Sequence, residues 1–353
     1  MNKALKWILI SSAILIAVGG IFIGIGKMFG GVLSSGLFRI GGKTLSAEDF
    51  RTETIDIDDF TALDVSTSFI DIEIVKGDRP ELEVYVPEVC MPEVSQNGGH
   101  LKIKQPNQTM NFQINMNTTP VSAYYKITVP NDAVLPSSIV ATSGDITITN
   151  VNVSGDIAST SGDIEIAGID SDNLNIAATS GNCDIKTCKL DALKLSTTSG
   201  FARIDSIDSK EFEYSTTSGG IDSINCNLTT IDSTSTSGDV RYENLEAETV
   251  VTESTSGNFS IDNSSVKSLS ATSTSGEFES SKLTSDNIQI GGTSADIELS
   301  LTGKESEYDY TIDSVSGDIS LPSLEVEKKY HTNNGKDKTI EVNTTSGDIK
   351  IKF

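Results

Sequence analysis

A tetrapeptide resembling Thr-Ser-Gly-Asp recurs nine times between residues 142 and 296, and seven of the eight gaps between copies are 19 residues long. The position of its glycine is taken in turn by Gly144, Gly162, Gly181, Gly200, Gly219, Gly238, Gly257, Gly276 and Ala295. Irregular later copies place Gly317 and Gly347 after gaps of 22 and 30 residues. A period this short is typical of stacked repeats, in which each unit buries its apolar face against its neighbours.

Apolar residues keep a fixed register within each unit. They stand two, four and twelve residues after the glycine, as Ile164, Ile166 and Leu174 do after Gly162. Two short strands joined by a turn satisfy this pattern, and equivalent strands of successive units would stack at about 4.8 Å. We therefore predict an all-β fold, a single-stranded β-solenoid (β-helix-like) with about 19 residues per coil. About a dozen coils would form a rod of about 60 Å, with almost no helix outside the N-terminus.

The tetrapeptide itself has a structural and a functional interpretation. Structurally, the glycine would supply a positive φ at a sharp corner, the preceding hydroxyls would bond the corner backbone, and the aspartate would close a local Asx turn. Functionally, the acids after the glycines would form an outward strip that binds cations weakly. Two residues further on, Arg203 and Arg241 stand among acids of successive units, which predicts a ladder of ion pairs between coils.

The chain is predicted to begin with a membrane anchor. Residues 7–26 form an uncharged apolar run whose helical length matches a bilayer core of about 30 Å. No clear cleavage site follows, so we expect an uncleaved signal anchor or transmembrane helix over 1–26 and a linker over 27–45. The segment 46–136, which contains alternating strand patterns, would be an irregular N-terminal part of the solenoid, and 137–353 the regular repeats with closing coils. We expect a single-pass membrane protein with an extracellular body.

Composition and motifs argue against several classes of function. With 26 basic and 50 acidic residues the net charge is −24, which disfavours a nucleic-acid partner. The four cysteines, Cys90, Cys183, Cys188 and Cys226, contain no CxxC and are expected to be buried rather than paired. The two histidines are far apart, and no nucleophile elbow, P-loop or HExxH is present. We therefore predict no catalytic, cofactor-binding or metal-binding residues and no cofactor.

The C-terminal region departs from the period. Residues 320–344 include a basic stretch around Lys328 and Lys336, and they form either a partner-contact loop or a hairpin that closes the rod. After it, Lys350 and Lys352 alternate with apolar residues. That pattern is expected of an edge strand protected from pairing with other molecules.

The Ser-Gly-Asp-Ile units, the segment at 125–130 (YKITVP) and the closing segment at 345–351 (TSGDIKI) resemble the bacterial "putative adhesin" family of β-strand repeat proteins, which includes LiaG-like proteins. The resemblance covers about residue 50 to the end and implies a membrane-tethered, exported solenoid. We expect a non-enzymatic adhesin or cell-envelope scaffold that contacts a protein or wall polymer. The alternatives are an accessory in envelope-stress sensing that contacts a membrane partner and, third, a polysaccharide-processing enzyme.

Overall fold

The computed structural model describes residues 39–40, 43–44, 47–106, 122–130, 132–326 and 328–353. The anchor predicted over 1–26 lies outside these residues, as does most of the linker. Within the described ranges no helix has the length and apolar character needed to cross a bilayer. The helical elements found there are three single 3₁₀ turns, at Ala47–Asp49, Glu88–Cys90 and Glu305–Glu307.

The fold is otherwise made of strands. Up to the first regular units they are β1 (Arg39–Ile40), β2 (Lys43–Thr44), β3 (Phe50–Ile55), β4 (Ala62–Thr67), β5 (Asp71–Lys76), β6 (Glu81–Pro87), β7 (Glu93–Asn97), β8 (His100–Lys104), β9 (Tyr124–Val129), β10 (Leu135–Ala141), β11 (Ile146–Thr149), β12 (Val153–Ser159) and β13 (Ile164–Ala167). The regular units continue with β14 (Asp170–Ala178), β15 (Cys183–Lys186), β16 (Lys189–Thr197), β17 (Ala202–Asp205), β18 (Asp208–Thr216), β19 (Ile221–Ile224), β20 (Asn227–Ser235), β21 (Val240–Glu243), β22 (Glu246–Ser254), β23 (Phe259–Asp262), β24 (Ser265–Ser273), β25 (Phe278–Gly292) and β26 (Ile297–Leu301). The closing strands are β27 (Tyr308–Ser314), β28 (Ile319–Leu321), β29 (Leu324–Val326), β30 (Lys329–His331), β31 (Lys338–Thr344) and β32 (Ile349–Lys352).

The regular units form a β-solenoid of about nine turns with about 19 residues per turn, which confirms the predicted architecture. Each turn contributes a four-residue strand to one parallel sheet, the short-strand sheet (β11, β13, β15 and their successors). It then contributes a longer strand to a second parallel sheet, the long-strand sheet (β12, β14, β16 and their successors). Strand β25 runs through both sheets.

The core lies between the two sheets. Along the strands buried and exposed residues alternate, except that the long strands have two consecutive outward residues near their start, such as Asp191 and Ala192 in β16. Because the register is constant, equivalent inward positions stack turn upon turn, as Ile166 stacks on Ile185 and Ile185 on Ile204. Larger side chains form such columns as well: the ring centroids of Tyr242 and Phe259 are 5.8 Å apart, and those of Phe259 and Phe278 5.7 Å. The core is therefore continuous along the rod.

At both ends the order of turns in space differs from their order in sequence. Near the N-terminus, β4 and β5 lie between the later strands β8 and β9 on one side and β10 and β11 on the other. Near the C-terminus, β31 and β32 are inserted between β25 and β26 on one side and β27 and β28 on the other. The last strand is thus internal. The prediction that Lys350 and Lys352 protect an edge strand is wrong, because the final turn is covered by an earlier one.

Antiparallel strands cover the true edges of the stack. At the N-terminal end β3 pairs with β6, β6 with β9, and β7 with β8. At the C-terminal end β29 pairs with β28 and β30 pairs with β27. Of the two roles predicted for residues 320–344, closing the rod is the one seen. The strand edges that would otherwise accept another chain are therefore occupied by short capping strands.

Candidate interaction surface

The corner glycines are required by close approach between turns rather than by an unusual φ. None of them has positive φ, contrary to the prediction. A Cβ built at Gly219 would lie 1.9 Å from the carbonyl oxygen of Gly200, and one at Gly238 would lie 1.6 Å from that of Gly219. The backbone of each turn thus packs directly on the backbone of the turn before it. A side chain at Gly219 or Gly238 would force the two turns apart.

Positive φ occurs instead at a second corner, six residues after the glycine. The residues there with φ between 48° and 59° are Asn150, Thr187, Ser206, Asn225, Asn244, Asn263 and Lys282, and Gly168 takes the same place with φ of 71°. Asparagine tolerates this conformation better than most residues. Its side chains also form a ladder, because the amide of Asn263 donates to Asn244 and that of Asn244 to Asn225. The recurrence of Asn and Gly at this spacing was a signal that the sequence analysis missed.

The hydroxyl that bonds the glycine comes from three residues before it. The backbone N–H of Gly219 donates to Thr216 Oγ1 (3.0 Å) and that of Gly238 to Ser235 Oγ (2.8 Å). The Thr-Ser pair that directly precedes each glycine behaves differently. At Thr217 and Ser218, for example, both residues are exposed, and the pair bonds the neighbouring turn through its backbone. These pairs therefore present hydroxyl groups to solvent along the rod.

The acids after the glycines link successive turns instead of closing local Asx turns. Asp145 Oδ1 accepts the backbone N–H of Asp163 (2.8 Å), and Asp163 Oδ1 accepts that of Asn182 (2.7 Å). Asn182 continues the ladder by accepting the N–H of Phe201. Burial, helped by neighbouring Asp71 and Asp163, raises the pKa of Asp145 despite that hydrogen bond. One oxygen of each such carboxylate is thus committed to the fold, which favours the structural interpretation of the motif.

The predicted ion-pair ladder between coils is not formed. Arg203 pairs with Asp205 (3.7 Å) and Arg241 with Glu243 (3.0 Å), in each case within one strand. Residues two apart on a strand share a face, so the outward arginine reaches its own strand's next acid. Such exposed pairs contribute little to stability. In the described part of the chain, no group of three or more His, Cys, Asp or Glu side chains is placed to hold a metal ion.

The cysteines and histidines are not brought together. All four cysteines are unpaired and buried, and burial raises the pKa of Cys90 and Cys183 to about 12, so these thiols stay protonated and unreactive. His100, in β8, pairs with Asp64, whereas His331, in β30, pairs with Asp313 near the opposite end of the stack.

The outer face of the long-strand sheet changes character along the rod. In β16, β18 and β20 its two central columns carry four charged residues (Lys194, Glu211, Glu213 and Asp232) and two uncharged ones (Ala192 and Thr230). In β22, β24 and β25 the same two columns carry uncharged residues, which we call the neutral patch: Thr249, Val251, Ser268, Ser270, Asn287 and Gln289. A shallow groove of about 160 Å³ lies on the patch. The charged side chains of these columns therefore give way to uncharged ones, all of which can form hydrogen bonds except Val251.

Comparison with known proteins identifies the family. The family described as Toastrack DUF4097 matches residues 60–222 and again residues 202–352. The chain belongs to the Toastrack DUF4097 family. This match confirms the predicted membership of a family of β-strand repeat proteins. A comparison with curated proteins finds no match.

Several solved structures are similar to this Toastrack chain. A putative adhesin from Parabacteroides merdae is 16% identical, with a TM-score of 0.45, over 71% of this chain and 95% of that one. A putative lipid binding protein from Parabacteroides distasonis is 19% identical, with a TM-score of 0.40, over 72% and 94%. A putative cell adhesion protein from Clostridium sporogenes is 12% identical, with a TM-score of 0.24, over 86% and 99%.

Proposed function

We propose that the chain is a membrane-anchored, exported β-solenoid that works without catalysis, as an adhesin or cell-envelope contact protein. The observation that carries the proposal is that, within each turn, the corner residues stabilise the stack and the outward residues form the surface. Glycine corners, asparagine corners and the aspartate ladder hold the stack together, while the outward columns of two sheets repeat at the strand spacing of about 4.8 Å. Such a scaffold offers a long, rigid surface whose side chains are free to make contacts.

Anchoring would come from residues 7–26, which are apolar and long enough to span a bilayer. The first strand of the stack, β3, begins at Phe50, shortly after the linker. In this arrangement the end capped by β3 and β7 faces the membrane, and the end capped by β29 and β30 is distal. The rod would then carry its outward columns away from the bilayer surface.

A non-catalytic role is supported by the chemistry of the described residues. Within the regular units the turns between strands are short, so they do not build the walls of a deep cleft, where enzymes usually hold their substrates. The buried cysteines have raised thiol pKa values, which removes them as nucleophiles at neutral pH.

The proposal is tested on intact cells with a C-terminal epitope tag and a surface-restricted cross-linker. We expect the tag to be accessible without lysis and the protein to be cross-linked to a surface protein or wall polymer. A variant that lacks residues 7–26 is the control and should lose membrane association. If the tag were accessible only after lysis, the proposal that the protein is exported would be refuted. Cross-linking to a membrane signalling protein alone would instead favour the accessory role in envelope-stress sensing.

A further inference from the structure

The groove on the neutral patch follows strand β24. Its floor is made by Ser268 and Ser270, the outward residues of this strand, with the backbone of Leu269 between them. On one side β25 contributes Asn287 and Gln289. Because serine is smaller than the side chains of the neighbouring turns, the surface is recessed along this strand.

The far wall depends on the exchange of turns at the C-terminal end. The inserted strand β31 places Thr339 beside Asn287 and Glu341 beside Gln289. Thr339 Oγ1 donates to Asn287 Oδ1 (3.1 Å), so the amide oxygen is engaged and the amide nitrogen remains available to donate. If the turns stacked in sequence order, β27 would occupy this position and the wall would be different. The groove therefore combines residues about 50 positions apart in the chain.

The lining is suited to an uncharged polar ligand. Two serine hydroxyls and two amides offer uncharged donors and acceptors, and Glu341 in the far wall is the one charged side chain of the lining. Carboxylates of Asp232, Glu253 and Glu341 border the patch on a chain with a net charge of −24, which opposes anionic ligands. They also oppose a second copy of the chain, since a two-fold contact through this patch would bring the same carboxylates together.

We propose that this groove binds an uncharged oligosaccharide, whose hydroxyl groups pair with Ser268, Ser270, Asn287 and Gln289. The inference rests on the proposed contact function and names the class of partner for one face of the rod. The strands that carry these residues are held on both sides by parallel neighbours, so little order has to be created on binding. The contact would run along β24, across the axis of the rod.

The test uses the full chain in detergent with four probes: maltohexaose, cellohexaose, laminarihexaose and chitohexaose. Binding is measured by saturation-transfer NMR and calorimetry. We expect at least one probe to bind. The variant S268Q/S270Q fills the groove without adding charge and should lower the affinity about tenfold or more, the effect of losing one or two hydrogen bonds. The matched control is A192Q, which makes the same kind of change in the column of Ser268, four turns earlier in the sequence. It should leave binding unchanged.

Each other outcome overturns the inference. These are binding to none of the four probes, equal binding by S268Q/S270Q and the parent protein, or tighter binding of polygalacturonate, measured alongside as an anionic probe, than of the neutral probes. Light scattering on the same samples detects a dimer, and a dimer lost in S268Q/S270Q would identify the groove as a self-contact. Surface exposure and cross-linking on cells are measured separately, so the proposed contact function can survive if the groove fails.

Discussion

One turn of the solenoid departs from the repeat pattern at two positions, and the two departures compensate for each other. In the preceding turn the backbone N–H of Gly276 donates to Ser273 Oγ at 2.8 Å. In the next turn the position of Ser273 is taken by Gly292 and that of Gly276 by Ala295, which is fully buried. A Cβ built at Gly292 would lie 2.7 Å from the Cβ of Ala295. The alanine methyl therefore uses space that the absent serine leaves open, and each exception depends on the other.

The magnitudes follow from this geometry. G292S alone forces a side chain against the Ala295 methyl and should cost about 1–3 kcal/mol, as overpacking does. A295G alone removes a buried methyl, worth about 0.8 kcal/mol, and adds the flexibility of glycine, about 0.5–1 kcal/mol. The double variant G292S/A295G restores the regular corner and its hydrogen bond, which offsets most of both losses. We therefore expect a favourable coupling free energy of about 2–3 kcal/mol between the two sites.

The assay is a double-mutant cycle in urea, followed by circular dichroism and by hydrogen exchange of the backbone amides of Thr293 and Ser294. Exchange is included because a solenoid can open locally without global unfolding. S275A changes an exposed residue of the neighbouring corner and should alter stability by less than about 0.5 kcal/mol. Additive effects of G292S and A295G, within about 0.5 kcal/mol, would refute the compensation and with it the account of the corner by close approach.

Four further predictions concern the corners, the ends and pH. G219A places a Cβ 1.9 Å from a backbone oxygen and should lower the urea midpoint by the equivalent of about 3 kcal/mol; an unchanged midpoint would contradict close approach. N244A should cost about 1–2 kcal/mol in the same assay, because Asn244 has φ of 55°, whereas N244G should cost less. E298K replaces the acid that pairs with the two lysines of β32 and should speed hydrogen exchange in β31 and β32, with E279K as the control. Backbone N–H groups of the 332–336 loop hold the pKa of Asp309 below its usual value. Its contribution to stability is therefore present above the unfolded pKa and is lost as pH falls through the folded one. Amide protection factors in this loop, which correct for the slower intrinsic exchange in acid, should fall on acidification, and D309N should show the same fall at pH 7.

The sequence predicts the inside of the rod better than its corners. Period and apolar register are properties of single turns, so inward positions such as Ile164 and Ile166 could be assigned directly. The reason for the corner glycines could not be predicted, because the clash between a Cβ at Gly219 and the carbonyl oxygen of Gly200 exists only once two turns are stacked. The same holds for the aspartate ladder, in which donor and acceptor belong to different turns. The asparagine corner was accessible, since a recurring Asn or Gly at one spacing indicates positive φ.

The order of turns at the ends, and the groove that depends on it, are harder to predict for a physical reason. Turns built on one pattern offer the same backbone ladder and apolar face to any neighbour, so the period alone makes several stacking orders nearly equivalent. Outward side chains then favour one stacking order over the others. Lys350 and Lys352 of the inserted strand β32 both pair with Glu298 of β26, and these contacts hold the pKa of Glu298 below its usual value. In the order given by sequence, β28 would lie beside β26 and place Ser320 next to Glu298 instead. Exposed ion pairs contribute little to total stability, yet a small difference in free energy suffices to select between stacking orders that are otherwise alike.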